Sequence, residues 1–295
     1  SDNSVNSILI QEIKNIEILY KKGLYRECEK FLKRAKKLAN EHEKFYYWFE
    51  LINLEKMLLE ESFEEGIFNK NLDDLILEEQ DVISKLRNLA EYHVLYAKVN
   101  YVFRNEGYVR SKKAREIITE VSQNYLIKGK NTALSKRAAT ICFYTQAFCY
   151  AADYQRDLSF IAFNKVKMIL DDNPVLKKDL PRRYVRTIFN LILILIERSE
   201  LRSAFKLINN LRELENEEGF NSLDIRVRIF KATYMAELNI YDKLGEYNKA
   251  LEIVDKVQEM LEVYKDKINK EQLISFYLKF AFIYFGTGQY NKSLF

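Results

Sequence analysis

Proline and glycine are scarce, with 2 Pro and 8 Gly in 295 residues. Strand-rich folds turn often and use both residues at their turns. Their scarcity excludes a sandwich or barrel and favours long helices joined by short loops. Histidine is nearly missing. His42 and His93 are the only two, and neither falls in a zinc-like spacing with Cys or Glu. No Ser-His-Asp or Cys-His set can be nominated from them. Cysteine is limited to Cys28, Cys142 and Cys149, an odd number set in apolar stretches. They read as small buried residues in a reducing, cytoplasmic setting. Cys142 and Cys149 share a helix face two turns, ~10 Å, apart, which is beyond disulfide reach. No apolar run approaches the ~20 residues of a membrane span. The longest, Leu191 to Ile196, reads as a buried helix. An excess of one charge is missing too: 47 Lys and Arg against 43 Asp and Glu leave +4, with the signs interspersed. A nucleic-acid binder usually concentrates its basic residues on one face. Neither a specific nucleic acid nor a membrane is therefore expected as a partner.

Hydrophobic residues make up 48% of the chain and charged residues 31%, which suits a folded chain and not a disordered one. The length exceeds a typical single core but suits an array that grows in one dimension. One pattern recurs along it. An aromatic-rich helix ends at a small turn residue, an aromatic or Leu follows two residues on, and another small residue comes three further. The first copy runs Leu19-Tyr20-Lys21-Lys22-Gly23-Leu24-Tyr25-Arg26-Glu27-Cys28, with Leu32 and Ala35 beyond. A second runs Tyr241-Asp242-Lys243-Leu244-Gly245-Glu246-Tyr247-Asn248-Lys249-Ala250, with Val254 and Val257 beyond, and a third centres on Gly288, Tyr290 and Ser293. Ser199, Leu201 and Ala204 make a weaker copy. At Ala152 and Tyr154, Asp157 stands where a small residue is wanted, and after Gly107 the small residue Ala114 comes two positions late. A small turn residue lets the chain reverse tightly and, as Gly, accepts positive φ. The ring after it fills the gap between two helices, and the next small residue lets their backbones approach.

This pattern resembles the tetratricopeptide repeat, best at Gly23, Gly245 and Gly288. The resemblance implies an all-α, right-handed α-α superhelix of about six or seven helix pairs, one array over residues 1–295. The turn residues Gly23, Gly66, Gly107, Ala152, Ser199, Gly245 and Gly288 are 41 to 47 residues apart. The usual unit is about 34, so these helices are longer, roughly 18 to 20 residues or ~28 Å. The periodicity places helices over 7–22, 24–40, 43–62, 70–87, 89–106, 109–126, 132–151, 154–171, 181–198, 200–216, 221–243, 246–265, 270–286 and 289–295. Natural arrays end in a polar cap. Helix 270–286, rich in Phe and Tyr, lacks a full partner helix within the sequence, which suggests a longer array or a homodimer through this helix.

Chemistry is sparse. Gly129-Lys130-Asn131-Thr132 lacks the strand and upstream glycine of a phosphate loop and reads as a helix-connecting turn. The acidic pairs Glu60-Glu61, Glu64-Glu65, Asp73-Asp74 and Glu78-Glu79 read as solvated faces. Arg182, Arg183 and Arg186 crowd a first helical turn, where the dipole disfavours cations. They are candidates for an anion or acidic partner, with Asp179 as the alternative neutralising group. In tetratricopeptide arrays the first helices line a concave face that binds extended peptides. The matching positions here are Tyr101, Arg104, Asn105, Gln146, Asn190, Asn239 and Lys279, with apolar Cys142, Leu193, Phe282 and Phe285 among them. Amides can hold a peptide backbone through donor and acceptor together, and cations can take a carboxylate. The resemblance thus implies a protein- or peptide-binding scaffold without catalysis, cofactor or metal. The alternative is a sensor or regulatory array within a larger signalling or transcription-regulating protein.

Overall fold

The computed structural model describes residues 4–61, 67–107 and 109–293. Every regular element among them is helical. The chain forms two compact units, Ser1–Gln155 and Arg156–Phe295.

The first unit holds α1 (Val5–Lys21), α2 (Tyr25–Glu41), α3 (Phe45–Glu61), α4 (Ile67–Glu106), α5 (Lys112–Gln123), the single turn α6 (Tyr125–Lys128) and α7 (Lys136–Ala152). The second holds α8 (Arg156–Asp171), α9 (Pro174–Asp179), α10 (Pro181–Glu197), α11 (Leu201–Glu213), α12 (Leu223–Leu244), α13 (Tyr247–Tyr264), α14 (Lys270–Gly286) and the short α15 (Tyr290–Ser293). Helix starts follow capping chemistry. Ser4, Ser111, Ser135, Ser222 and Asn269 each accept the amide three residues on, while Pro174 and Pro181 sit at first helical positions where no N–H is needed.

One turn geometry recurs. At Gly23, Gly245 and Gly288 the backbone takes φ of 69°, 69° and 75°, and at Ser199 it takes 62°. In each case the next amide reaches back to a carbonyl in the last helical turn: Leu24 to Leu19, Glu200 to Leu195, Glu246 to Tyr241 and Gln289 to Tyr284. This is the Schellman arrangement, with the left-handed residue just past the helix. Two further copies differ from the sequence expectation. Between α7 and α8 the left-handed residue is Tyr154 (φ 59°), not Ala152, and Glu43 (φ 49°) closes α2 in the same way.

The shift to Tyr154 restores the repeat. The small residue five positions after the turn is then the buried Ser159, and Asp157 no longer interrupts the pattern. Five, nine and twelve residues after each turn the second helices bury Cys28, Leu32 and Ala35; Ser159, Phe163 and Val166; Ala204, Ile208 and Leu211; and Ala250, Val254 and Val257. After Gly107 the spacing is longer because Glu106 folds its carboxylate over the amides of Arg110 and Ser111, each at 3.0 Å. Helix α5 then starts at Lys112 and buries Ala114, Ile118 and Val121 in the same roles. The position of Gly66 lies outside the described residues.

Three helix boundaries depart from the periodicity. The expected helices 70–87 and 89–106 are one helix, α4, of 40 residues and ~60 Å. Asn88 does not break it, because its buried amide has partners outside the helix. Its Nδ2 donates to the Thr132 carbonyl, and its Oδ1 accepts the Leu134 amide, both at 3.0 Å. Tyr92, one turn on, donates to the Leu126 carbonyl at 3.0 Å and pairs with the Thr132 hydroxyl at 2.6 Å. The 129–132 segment is therefore a loop fastened to α4, and Ser135 caps the following helix. Asn124 splits the expected helix 109–126 by turning its side chain onto the Leu126 amide. The turn α9 was not expected.

Within the first unit α1 to α4 pack consecutively, and α4 also packs on α5 and α7. Within the second, α10 packs on α8, α11 and α12, and α12 on α13 and α14. The first unit holds two apolar clusters, one around Trp48, Leu51 and Ile52 and one around Tyr92, and the helices α12 to α14 of the second share one around Phe230, Phe276 and Phe280.

Candidate functional site

In the first unit, Tyr101, Arg104 and Asn105 lie exposed on the last turns of α4. Gln146 on α7 does not join them as a free amide. It is half-buried, and its Nε2 donates to the Ile127 carbonyl at 2.5 Å. The turn at Tyr154 explains the mismatch. The position six before the turn, held by Tyr101 and Asn239 in their repeats, is Phe148 and not Gln146. Phe148 stacks obliquely on Phe103 (5.0 Å) and edge-on to Tyr144 (5.1 Å), which meets Tyr96 in turn (5.6 Å). Aromatic rings thus join α4 to α7 where a polar groove position was expected. Cys142 is buried in the core, with its Sγ 3.7 Å from the Leu126 carbonyl.

In the second unit, Asn190 on α10 and Asn239 on α12 are half-buried, as is Leu193 beside Asn190. Adjacent helices carry them. Lys279 on α14 is committed to an ion pair, its Nζ 2.6 Å from Asp242 on α12. It ties α14 to α12. Phe282 and Phe285 are exposed.

Of the arginines at the start of α10, Arg182 pairs with a carboxylate on α12. Arg182 donates to Asp224 at 2.9 Å, and Asp224 also accepts from Arg228 at 3.0 and 3.2 Å. The Arg228 hydrogen bond, with Arg182 adding to it, holds the Asp224 carboxyl below its usual range against the opposing effect of burial. Arg183 and Arg186 are half-buried. Of the acidic pairs, Asp73 and Asp74 are exposed, while Glu78 and Glu79 are occupied. Glu78 accepts from Lys36 at 2.7 Å and from the Trp48 indole at 2.6 Å, and Glu79 from Lys56 at 2.5 Å. Glu64 and Glu65 lie outside the described residues. Among the described residues no group of three or more His, Cys, Asp or Glu is placed to hold a metal ion. No described helix is long and apolar enough to cross a membrane.

One polar cleft had no clear advance notice in the sequence. It opens between α8–α9 and α11, encloses about 270 Å³, and is floored by Tyr184 and Ile188 of α10. Asp171 stands at its wall and accepts from Lys167 (2.7 Å), Lys177 (3.0 Å) and the Tyr184 hydroxyl (2.8 Å). Burial would raise the Asp171 pKa, but these hydrogen bonds outweigh it and hold the carboxyl below its usual range. Burial, and then the carboxylate of Asp171, push the Tyr184 phenol well above its own range. Glu213 and Glu217 also line it. The Lys167–Asp171 spacing of four on one helix was the only local signal. Lys177 and Tyr184 arrive from other elements.

Comparison of the chain with protein-family models and with curated proteins found no match.

Proposed function

We propose that the chain is a protein- or peptide-binding scaffold, built as a tetratricopeptide-like right-handed superhelix and acting without catalysis, cofactor or metal in the cytoplasm. The observation that carries this reading is the face shared by α10 and α12. These two first helices pack against each other, and each carries a half-buried amide, Asn190 with the half-buried Leu193 near it on α10 and Asn239 on α12. An amide offers a donor and an acceptor in one plane, which suits the backbone of an extended segment, and neighbouring apolar groups give anchors for its side chains.

Photo-crosslinking tests the assignment. A light-activated residue placed at 190 or 239 should capture the same partner, and one placed on the outer face of α11 at Lys206 should not. With the captured partner in hand, Asn190→Ala and Asn239→Ala should each weaken binding about fivefold, the effect of one neutral hydrogen bond. Equal capture at all three positions, or unchanged affinity in both variants, would move the site away from this face.

A further inference from the structure

Helix α4 buries a face that turns slowly around its axis. Near the start that face is marked by Leu75 and Val82, and farther on by Tyr92, Val99 and Val102, all buried. The exposed side turns with it and follows a spacing of three and four residues. Asp73, Ile76, Gln80, Ile83, Arg87, Ala90, Val94, Ala97, Tyr101 and Arg104 are all exposed. This is the seven-residue repeat of a coiled-coil seam. On a straight helix such a seam drifts by about 20° per repeat, and here the drift keeps it opposite the buried face over ~46 Å. Its apolar members include Ile83, Val94 and Tyr101, which are 46%, 58% and 58% exposed. The seam lies within the first unit, where the helices that follow α4 in the chain, α5 and α7, already pack on α4 elsewhere.

We propose that this seam pairs, antiparallel, with the same seam of a second copy of the chain. Its charge order singles out that occupant. The seam is acidic at its start, with Asp73 and its exposed neighbour Asp74, and basic at its end, with Arg104. A twofold axis across the helix sets each acidic end on a basic end, and a second copy supplies that reversed order by itself. One register uses the whole length. Asp73 faces Arg104 of the other copy, Ile76 faces Tyr101, Gln80 faces Ala97, Ile83 faces Val94 and Arg87 faces Ala90. Each isoleucine meets an apolar side chain. The two Arg87 side chains flank the axis over the small Ala90, each with Glu91 as its own counter-charge at 3.1 Å. A shift by one repeat leaves either Ile76 or Tyr101 beyond the seam of the other copy and unpairs Asp73 from Arg104. A parallel pair would set Asp73 on Asp73 and Arg104 on Arg104, which like-charge repulsion disfavours. The pairing is independent of the peptide-binding reading, which uses α10 and α12.

Sedimentation of the full chain over a range of concentrations tests it. The wild type should pass from the mass of one chain to that of two. Ile83→Glu and Val94→Lys should each remain at the mass of one chain with an unchanged helical circular dichroism spectrum. Mixed together they should regain the doubled mass, because position 83 of one copy then faces position 94 of the other as Glu against Lys. If a charged variant loses its helical spectrum, Val94→Ser supplies the same comparison with a milder change. Asp73→Arg should weaken association roughly tenfold, since two exposed ion pairs become repulsions, and Arg104→Asp in the same chain should restore it. A wild type that stays single at every concentration overturns the second copy as occupant. A dimer that survives both Ile83→Glu and Val94→Lys overturns the seam. Single variants that fail to pair on mixing overturn the antiparallel register, and a double charge variant no tighter than Asp73→Arg overturns the charge order as its cause.

Discussion

Asn88 separates two explanations of a helix that runs through a residue of low helix propensity. It lies in the middle of α4, is 7% exposed, and holds the Thr132 carbonyl and the Leu134 amide at 3.0 Å each. Asn88→Leu keeps the branched shape and the number of heavy side-chain atoms. It improves the helix by about 0.5 kcal/mol. It also removes two hydrogen bonds and leaves one backbone donor and one acceptor of the loop without their partner, at about 1 kcal/mol for each. The net expectation is a loss of about 1.5 kcal/mol. Equilibrium urea unfolding followed by circular dichroism would measure it as a lower midpoint with an unchanged slope. Hydrogen exchange adds a local readout, in which the Leu134 amide should exchange faster while amides at the centre of α7 slow or quicken only with the global change. If propensity alone mattered, the variant would be more stable than the wild type. A neutral or stabilising result, or an unchanged Leu134 amide, refutes the clamp.

Three more outcomes follow from the turns, the polar cleft and the core. Ser199→Gly should raise stability by about 1 kcal/mol because it frees a left-handed residue from its Cβ penalty. Gly245→Ala should lose a similar amount by torsion alone, since a Cβ there meets no atom within 4 Å. Thermal unfolding compares the two, and a destabilised Ser199→Gly would refute the turn assignment. Asp171 has its pKa held down in the folded state, so its contribution is present above the ordinary carboxylate range and is lost as pH falls through the lowered value. Asp171→Asn should therefore be less stable than wild type at neutral pH, with the gap closing as the solution is acidified. A gap independent of pH would refute the ionic part of the cluster. Burial pushes the Cys149 thiol up to about 12, and Cys28 and Cys142 are buried as well. A thiol reagent at neutral pH should label all three only as the chain unfolds, and fast labelling of Cys149 in the folded chain would contradict its place in the core.

The candidate face was partly legible. Asn190 and Asn239 were found by counting back from turn residues, and they do lie half-buried on adjacent first helices. Gln146 was found by the same count from Ala152, and the count failed because the turn is two residues later. Nothing in Tyr154 announces positive φ, and neither does Glu43. Lys279 has a partner on α12, at Asp242. The start of α10 shows the same limit, where the carboxylate that Arg182 meets is Asp224, 42 residues away.

Sequence alone determined the helical class, the long repeat and the turns at Gly23, Gly245 and Gly288. Those depend on torsional freedom and apolar spacing, which belong to a residue and its near neighbours. The tertiary structure decided whether a weak helix residue breaks a helix or fastens a loop, as at Asn88, and which cations and carboxylates meet, as around Asp171. Those outcomes depend on groups brought from distant parts of the chain, because a buried polar atom takes whichever partner the packing presents.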